Sequence, residues 1–160
     1  MLTHPSRLVR QRKALRTSLL PLPWAPAQGS VLTHPNETLI RNAFSAFMRG
    51  DVEAARPAFD SQVVWHVSGR GPLSGEYRGF DEVAKWGARL VEKSGGTLQE
   101  ELHEVVANDS SAFQWVTYRA HRAERSIEDG SVNVFRIRDG KIVECWVYFG
   151  KPYEFDSFFA

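Results

Sequence analysis

The sequence has little cysteine, and its apolar runs are short. Its 160 residues include one cysteine, Cys145, so no disulfide can form within the chain. A single thiol suits a reducing compartment, and we therefore expect a cytoplasmic location. No apolar run reaches the ~18 residues that a membrane-spanning helix requires, so we expect no membrane partner.

The spacings typical of metal and dinucleotide sites are also missing. His66, His103 and His121 show neither HxH nor HxxxH spacing, so the sequence does not predict a zinc site. The segment 69–71, Gly-Arg-Gly, is too short and wrongly placed for a dinucleotide-binding loop. We therefore expect no metal and no cofactor.

Acidic residues are absent before Glu37, whereas five of the 20 Lys and Arg residues precede it. The remainder carries 15 cations against 19 anions, and a body of that sign has no electrostatic footprint for nucleic acid. Residues 1–32 are basic and hold three prolines between positions 21 and 26, which exclude a helix there. We interpret residues 1–32 as a disordered extension; a targeting presequence or a basic contact arm are the alternatives. Residues 33–160 are the expected folded domain.

Helical patterns come first in this domain. Apolar residues recur at helical spacing from about position 35 to Gly50, a short helix follows Asp51, and a third runs from Asp81 to Ser94. Short runs rich in β-branched residues dominate the remainder, with turn signals at 108–109, 128–130 and 139–140. Helices followed by an antiparallel series of strands predict an α+β fold. The predicted strands are 63–67, 97–107, 111–124, 131–138 and 141–149.

The last strand has apolar side chains on both faces. Successive strand residues point to opposite sides, so Trp146 and Tyr148 oppose Cys145 and Val147. A sheet that is apolar on both sides needs two covers. Helices can cover one side, and a second copy of the chain is a natural cover for the other, so we expect a homodimer.

Two segments resemble a known family. Residues 63–79 (VVWHVSGRGPLSGEYRG) and 134–146 (VFRIRDGKIVECW) resemble SnoaL-like proteins of the nuclear-transport-factor-two-like superfamily, and the ending YEFDSFF fits as well. The resemblance implies a conical α+β barrel, in which N-terminal helices pack on a strongly curved, mainly antiparallel sheet around a cavity, often in a dimer. Relatives include ketosteroid isomerases, polyketide cyclases, epoxide hydrolases and members without an assigned reaction.

The function that follows is a pocket for a small hydrophobic molecule. We expect a cofactor-independent acid/base enzyme, of the isomerase, cyclase or lyase type, acting on a carbonyl compound. The pair of aspartates that ketosteroid isomerases use is not visible in the predicted strands, because Asp109, Asp129 and Asp139 all fall in predicted turns. A non-catalytic ligand-binding or dimerisation module of the same fold is therefore the alternative.

The candidate site residues are a titratable histidine, polar groups that could polarise a carbonyl, and aromatic walls. Histidine is the residue type that most often serves as an acid or base near neutral pH, so His66 is the candidate acid/base, with Asn133 and Tyr148 as its catalytic partners. Glu144 would become a base if it were buried, but a surface ion pair is the other interpretation. Cys145 is expected to be an inert, buried thiol. The candidate substrate-binding residues are Trp65, Arg70, Tyr77, Trp86, Trp115, Tyr118, His121 and Trp146.

Overall fold

Four helices and a six-stranded sheet make up the part of the chain described by the computed structural model, residues 33–160. The predicted extension at 1–32 lies outside the described residues. The helices are α1 (Pro35–Met48), α2 (Val52–Ala55), α3 (Phe80–Lys93) and α4 (Pro152–Phe158), with a 3₁₀ turn at Arg56–Ala58. The strands are β1 (Phe59–Val67), β2 (Gly75–Arg78), β3 (Gln99–Ala107), β4 (Ser111–Arg122), β5 (Arg125–Arg138) and β6 (Lys141–Phe149).

The helix ends follow from local hydrogen bonding. The ring nitrogen Nδ1 of His34 accepts from the backbone N–H of Asn36 at 3.1 Å, which caps α1. Asp51 caps α2 by accepting from the N–H of Ala54 at 3.2 Å. Pro57 then lies in the 3₁₀ turn, as expected from its missing N–H, and the prediction of a short helix is confirmed.

The strands form one curved, mainly antiparallel sheet in the order β2-β1-β6-β5-β4-β3. Every neighbouring pair is antiparallel except β1 and β6, which are parallel. One face of this sheet packs against the helices, and we call it the inner face; the opposite face is the outer face. The α+β prediction is confirmed.

The β4–β5 hairpin corrects one turn prediction. Residues 128–130 are not a turn, because β5 begins at Arg125 and Asp129 pairs with Tyr118 of β4. The turn lies instead at Ala123 and Glu124, where Ala123 has a φ of 50°. Asp-Gly sequences predict turns because both residues tolerate turn geometry. Asp129 lies in a strand instead, because its buried carboxylate accepts hydrogen bonds from the Tyr118 hydroxyl and the Lys151 backbone N–H.

Three further elements differ from the sequence prediction. β1 begins at Phe59 and extends four residues further back than the predicted strand at 63–67. β2 was not predicted, since its four residues have no buried side chain and so no apolar alternation. The seven-residue α4 was also missed; it packs Phe155 and Phe158 into the core. None of the helices in the described part of the chain is long and apolar enough to cross a membrane.

Candidate functional site

A cavity of about 270 Å³ lies between the helices and the inner face of the sheet. Its walls are mostly aliphatic and aromatic side chains from the four helices and five of the strands. Glu100 is the one charged side chain among the lining residues of the described chain. Every polar lining side chain besides the tryptophans comes from the sheet: Glu100, Gln114, Tyr118, Ser131 and Asn133.

Strand alternation decides which residues reach this cavity. On β4, Gln114, Val116 and Tyr118 are buried on the inner face, whereas Phe113 and Trp115, which alternate with them, are about half exposed on the outer face. The alternation itself was visible in the sequence. The structure adds which of the two sets faces the helices.

Glu100 is the feature of the cavity that the sequence prediction missed. It lies on β3 opposite Tyr118 of β4, and burial among the apolar walls raises its pKa from 4.5 to about 7. Leu98 lines the same cavity and Leu102 packs against the core, so Glu100 interrupts a period-two apolar series. That interruption was the available signal, because an acid between inward-facing leucines must be inward-facing as well.

Tyr118 is held as a neutral hydroxyl at the cavity wall. It donates to the buried carboxylate of Asp129 at 3.1 Å, and the same carboxylate oxygen accepts from the backbone N–H of Lys151 at 2.7 Å. Burial, followed by the negative charge of Asp129, raises the pKa of Tyr118 above its ordinary value. The phenol therefore stays protonated over the whole neutral range.

Asn133 and Gln114 form an amide pair on neighbouring strands. The Asn133 Nδ2 donates to Gln114 Oε1 at 2.9 Å. The Asn133 Oδ1 is buried and has no hydrogen-bond partner among residues 33–160. The same holds for the indole nitrogen of Trp65, whose ring also lines the cavity. The residues that line the cavity therefore include one with an unsatisfied donor and one with an unsatisfied acceptor.

Four of the candidate residues from the sequence line the cavity: Trp65, Trp86, Tyr118 and Asn133. Tyr77 lies directly behind this wall, since its hydroxyl and the Trp86 indole N–H both donate to the carbonyl of Leu73, at 2.9 and 3.0 Å. Arg70 does not reach the cavity. Its side chain is exposed in the β1–β2 loop, where its backbone N–H donates to Asp156 at 2.6 Å.

The other candidates lie on the outer face of the sheet. His66 lies between Glu144 at 2.9 Å and Glu76 at 3.4 Å, and its ring stacks on Trp146 with 5.2 Å between centroids. Trp65 and Val67, on either side of His66, are the buried residues of the inner face, so strand alternation directs His66 outward. His66 is also not among the residues that line the cavity. Trp115, His121 and Tyr148 are exposed there as well.

Glu144 and Cys145, the other two residues considered in the sequence analysis, do not contribute a reactive group to the cavity. Glu144 is hydrogen-bonded to His66 on the outer face, where both side chains are partly exposed, and it does not enter the cavity. Cys145 is fully buried within β6, and this burial raises the pKa of its thiol well above the ordinary value. A thiol that resists ionisation is a poor nucleophile, as expected from the sequence.

Known proteins share both the sequence pattern and this fold. Uncharacterized proteins of Mycobacterium tuberculosis and Mycobacterium bovis are 28% identical over 123 residues, which cover 76% of this chain and 94% of theirs. The solved structure of Bal32a, from a soil-derived mobile gene cassette, has a TM-score of 0.74 at 24% identity, and the match covers 79% of this chain and 97% of that one.

TerC, solved in a co-crystal with polyporic acid, has a TM-score of 0.69 at 18% identity over 79% of this chain and 98% of that chain. At these identities, the two solved structures show a shared fold and nothing further. The sequence model of the SnoaL-like domain matches residues 40–145, which is most of the chain. The protein therefore belongs to the SnoaL-like domain family.

Proposed function

We propose that the cavity binds a small apolar organic molecule, and that Glu100 acts on it as a general acid or base without a cofactor. The observation that carries the proposal is the position of Glu100, a single carboxyl group in the described wall of an apolar cavity of about 270 Å³, where burial raises its pKa to about 7. A volume of that order suits a ligand of one to three small rings.

The proposed acid/base role of Glu100 follows from the match between its pKa, about 7, and a neutral working pH. An acid/base group is most effective when its pKa lies near the pH of the reaction, because both protonation states are then populated. An ordinary carboxylate at pH 7 is a weak base, whereas Glu100 can remove a proton next to a carbonyl group and return it elsewhere. The substrate class is therefore a carbonyl compound, as in isomerisation or cyclisation.

In this proposal the acid/base role falls to Glu100 in place of His66. His66 and Tyr148, two of the catalytic candidates from the sequence, lie on the outer face and have no access to the cavity through the sheet. Asn133, the third, lines the cavity and keeps its proposed role as a polar contact for the substrate.

A non-catalytic binding protein is the second candidate. Glu100 stands without a second carboxylate among the lining residues described, and the Tyr118 hydroxyl already donates its proton to Asp129. A base without a free donor beside it stabilises a developing oxyanion poorly. The co-crystal of TerC with polyporic acid supports ligand binding by this fold and is neutral between the two candidates.

We expect Glu100→Gln to abolish turnover while leaving ligand binding intact. The measurement is a pH–rate profile on a panel of cyclic enones, after compounds that bind have been selected by native mass spectrometry. Loss of a general base lowers the rate by about 10²–10⁴-fold. The limb of the wild-type profile near pH 7 should disappear with it.

Two variants serve as controls for this experiment. Glu101→Gln removes a charge from the next residue of β3, which is exposed and paired with Arg119 at 3.7 Å, and His66→Ala removes the outer-face histidine. Both should keep the wild-type rate. Full activity in Glu100→Gln would refute the catalytic role, and bound compounds that the wild type never converts would favour the binding protein.

We also propose that the outer face is covered by a second copy of the chain. Five large apolar side chains are between 41% and 52% exposed on this face: Val106, Phe113, Trp115, Val132 and Tyr148. The register places Trp115, Val132 and Tyr148 side by side across β4, β5 and β6, so these residues form a continuous apolar patch. An isologous contact of two such patches satisfies both copies at once.

Trp115→Glu is expected to give a monomer where the wild type is a dimer, as measured by light scattering at micromolar concentration. The substitution places a charge in the middle of the patch, where the ring of Trp115 is 52% exposed in the single chain. Tyr153→Glu makes a similar change on α4, at a residue 78% exposed and outside the patch, and should remain dimeric. A monomeric wild type would refute the proposal.

A further inference from the structure

Two of the residues that line the cavity each carry a buried polar atom without a partner, and the two atoms are of opposite kind. Trp65 is 8% exposed, and its Nε1–H has no acceptor; Asn133 Oδ1 is buried and has no donor, among residues 33–160. Buried polar groups are almost always hydrogen-bonded, so each exception calls for a partner that binds from outside the chain. These two are the complete set of such side-chain atoms in the described residues.

The surroundings of Trp65 offer no substitute acceptor. Its ring contacts Phe59, Trp86 and Phe135, with centroids 6.0–6.2 Å away. Trp86 lines the same cavity, yet its own Nε1–H donates to the Leu73 carbonyl at 3.0 Å. The two tryptophans thus have the same chemistry and similar positions, but one is satisfied internally and the other is not.

Asn133 shows the same pattern for an acceptor. Its Nδ2 is bonded to Gln114, which fixes the amide plane and leaves the oxygen free. Asn133 lies on β5 and Trp65 on β1, and β6 lies between these two strands. Cys145 of β6 pairs with Trp65 on one side and, on the other, with Phe135, which is two residues from Asn133. Two separate groups of one ligand, about two strand spacings apart, are needed to reach both.

We propose that Trp65 and Asn133 are the orienting groups of the ligand site, and that the ligand is a neutral, rigid apolar molecule with an acceptor at one end and a donor at the other. A keto or ether oxygen would accept from the Trp65 indole, and a hydroxyl or N–H would donate to Asn133. This inference rests on the proposed function of the cavity as a ligand site.

The charge of the wall supports a neutral ligand. The described lining contains no Lys, Arg or His, and its one carboxyl group is Glu100. A carboxylate or phosphate group would enter without a counter-ion and close to an acid, which is unfavourable in an apolar site. Uncharged polar groups that pair with the indole N–H and the amide oxygen carry no such cost.

The test uses four probes with one naphthalene framework: 2-ethylnaphthalene, 2-acetylnaphthalene, 6-ethyl-2-naphthol and 6-acetyl-2-naphthol. Their dissociation constants are measured for the wild type by titration calorimetry or probe fluorescence. Each polar group should tighten binding by about tenfold over its hydrocarbon counterpart, because it satisfies an otherwise unpaired buried atom. The acetyl naphthol should therefore bind tightest.

Variants then assign each gain to one residue. Trp65→Phe should remove the gain from the acetyl group alone, and Trp86→Phe, whose N–H is bonded internally, should keep it. The double variant Gln114→Leu/Asn133→Leu should remove the gain from the hydroxyl alone. Replacing both amides avoids an unpaired Gln114, which would otherwise destabilise the fold.

The outcomes separate this inference from the proposed function. If 2-ethylnaphthalene binds but neither polar group tightens binding, the orienting roles are wrong while the apolar pocket stands. Gains that survive in Trp65→Phe or in the double amide variant would also overturn the assignment. If none of the four probes binds, the ligand site itself is refuted, and the inference falls with it.

Discussion

Glu100→Gln should make the protein more stable at pH 8 by about 3 kcal/mol and leave its stability nearly unchanged at pH 4. The pKa of Glu100 is raised by burial from 4.5 to about 7, so between these values the folded chain holds a proton that the unfolded chain has released. The free energy of unfolding of the wild type therefore falls as the pH rises through this window. Glutamine does not titrate, so the free energy of unfolding of the variant does not fall in this pH window.

The measurement is the urea midpoint at several pH values from 4 to 8. The difference between variant and wild type should grow through the window and level off above pH 7. Glu101→Gln is the matched control, because its exposed carboxylate is weakly paired and should give a small, level difference. Parallel pH curves for Glu100→Gln and the wild type would show that Glu100 is solvated, which would also remove the basis of its acid/base role.

Phe155→Ala is expected to cost about 3–5 kcal/mol of the free energy of unfolding. Phe155 is 2% exposed and stacks on Phe149 at 3.7 Å between ring centroids, with Tyr118 and Phe159 at 5.9 and 4.6 Å. A helix of seven residues is not stable alone, so α4 depends on this contact. Removing the ring leaves a void beside an existing cavity and loosens one of its walls.

Denaturant unfolding of Phe155→Ala and Tyr153→Ala on the same helix would test this expectation. Tyr153 is 78% exposed, so its replacement should change the free energy of unfolding by less than about 0.5 kcal/mol. Similar small losses for both variants would mean that α4 contributes little to the fold. The cavity would then be open at that end.

The sequence predicted the parts of the fold where a strand pattern and a turn signal agree. The Asp139-Gly140 turn lies where expected, with φ values of 51° and 69°, and β6 matches its predicted range. The 128–130 signal failed because Asp129 has tertiary partners, Tyr118 and Lys151, that a local pattern does not contain. A turn propensity describes what a dipeptide tolerates, and distant contacts decide whether it is used.

The site was less predictable than the fold, because both faces of the sheet carry aromatic and apolar residues. The sequence assigned Trp115 and Trp146 to the pocket on the same grounds as Trp65 and Trp86, and alternation alone does not tell which face meets the helices. Glu100 was overlooked since acids at 101 and 104 make β3 resemble a solvated edge strand. The inward position of Glu100 becomes visible only in the structure, where residues of α3 and β3 line the same cavity.

The position of β6 constrains how the chain can reach this fold. β6 is the last of the six described strands along the chain, yet it lies between β1 and β5, and its Trp146 pairs with His66, which is 80 residues earlier. Until β6 is in place, β1 and β5 each present an unpaired edge that other chains could bind. Folding should therefore be slow, because closing the sheet depends on a long-range contact, and a chain cut short before β6 is expected to aggregate.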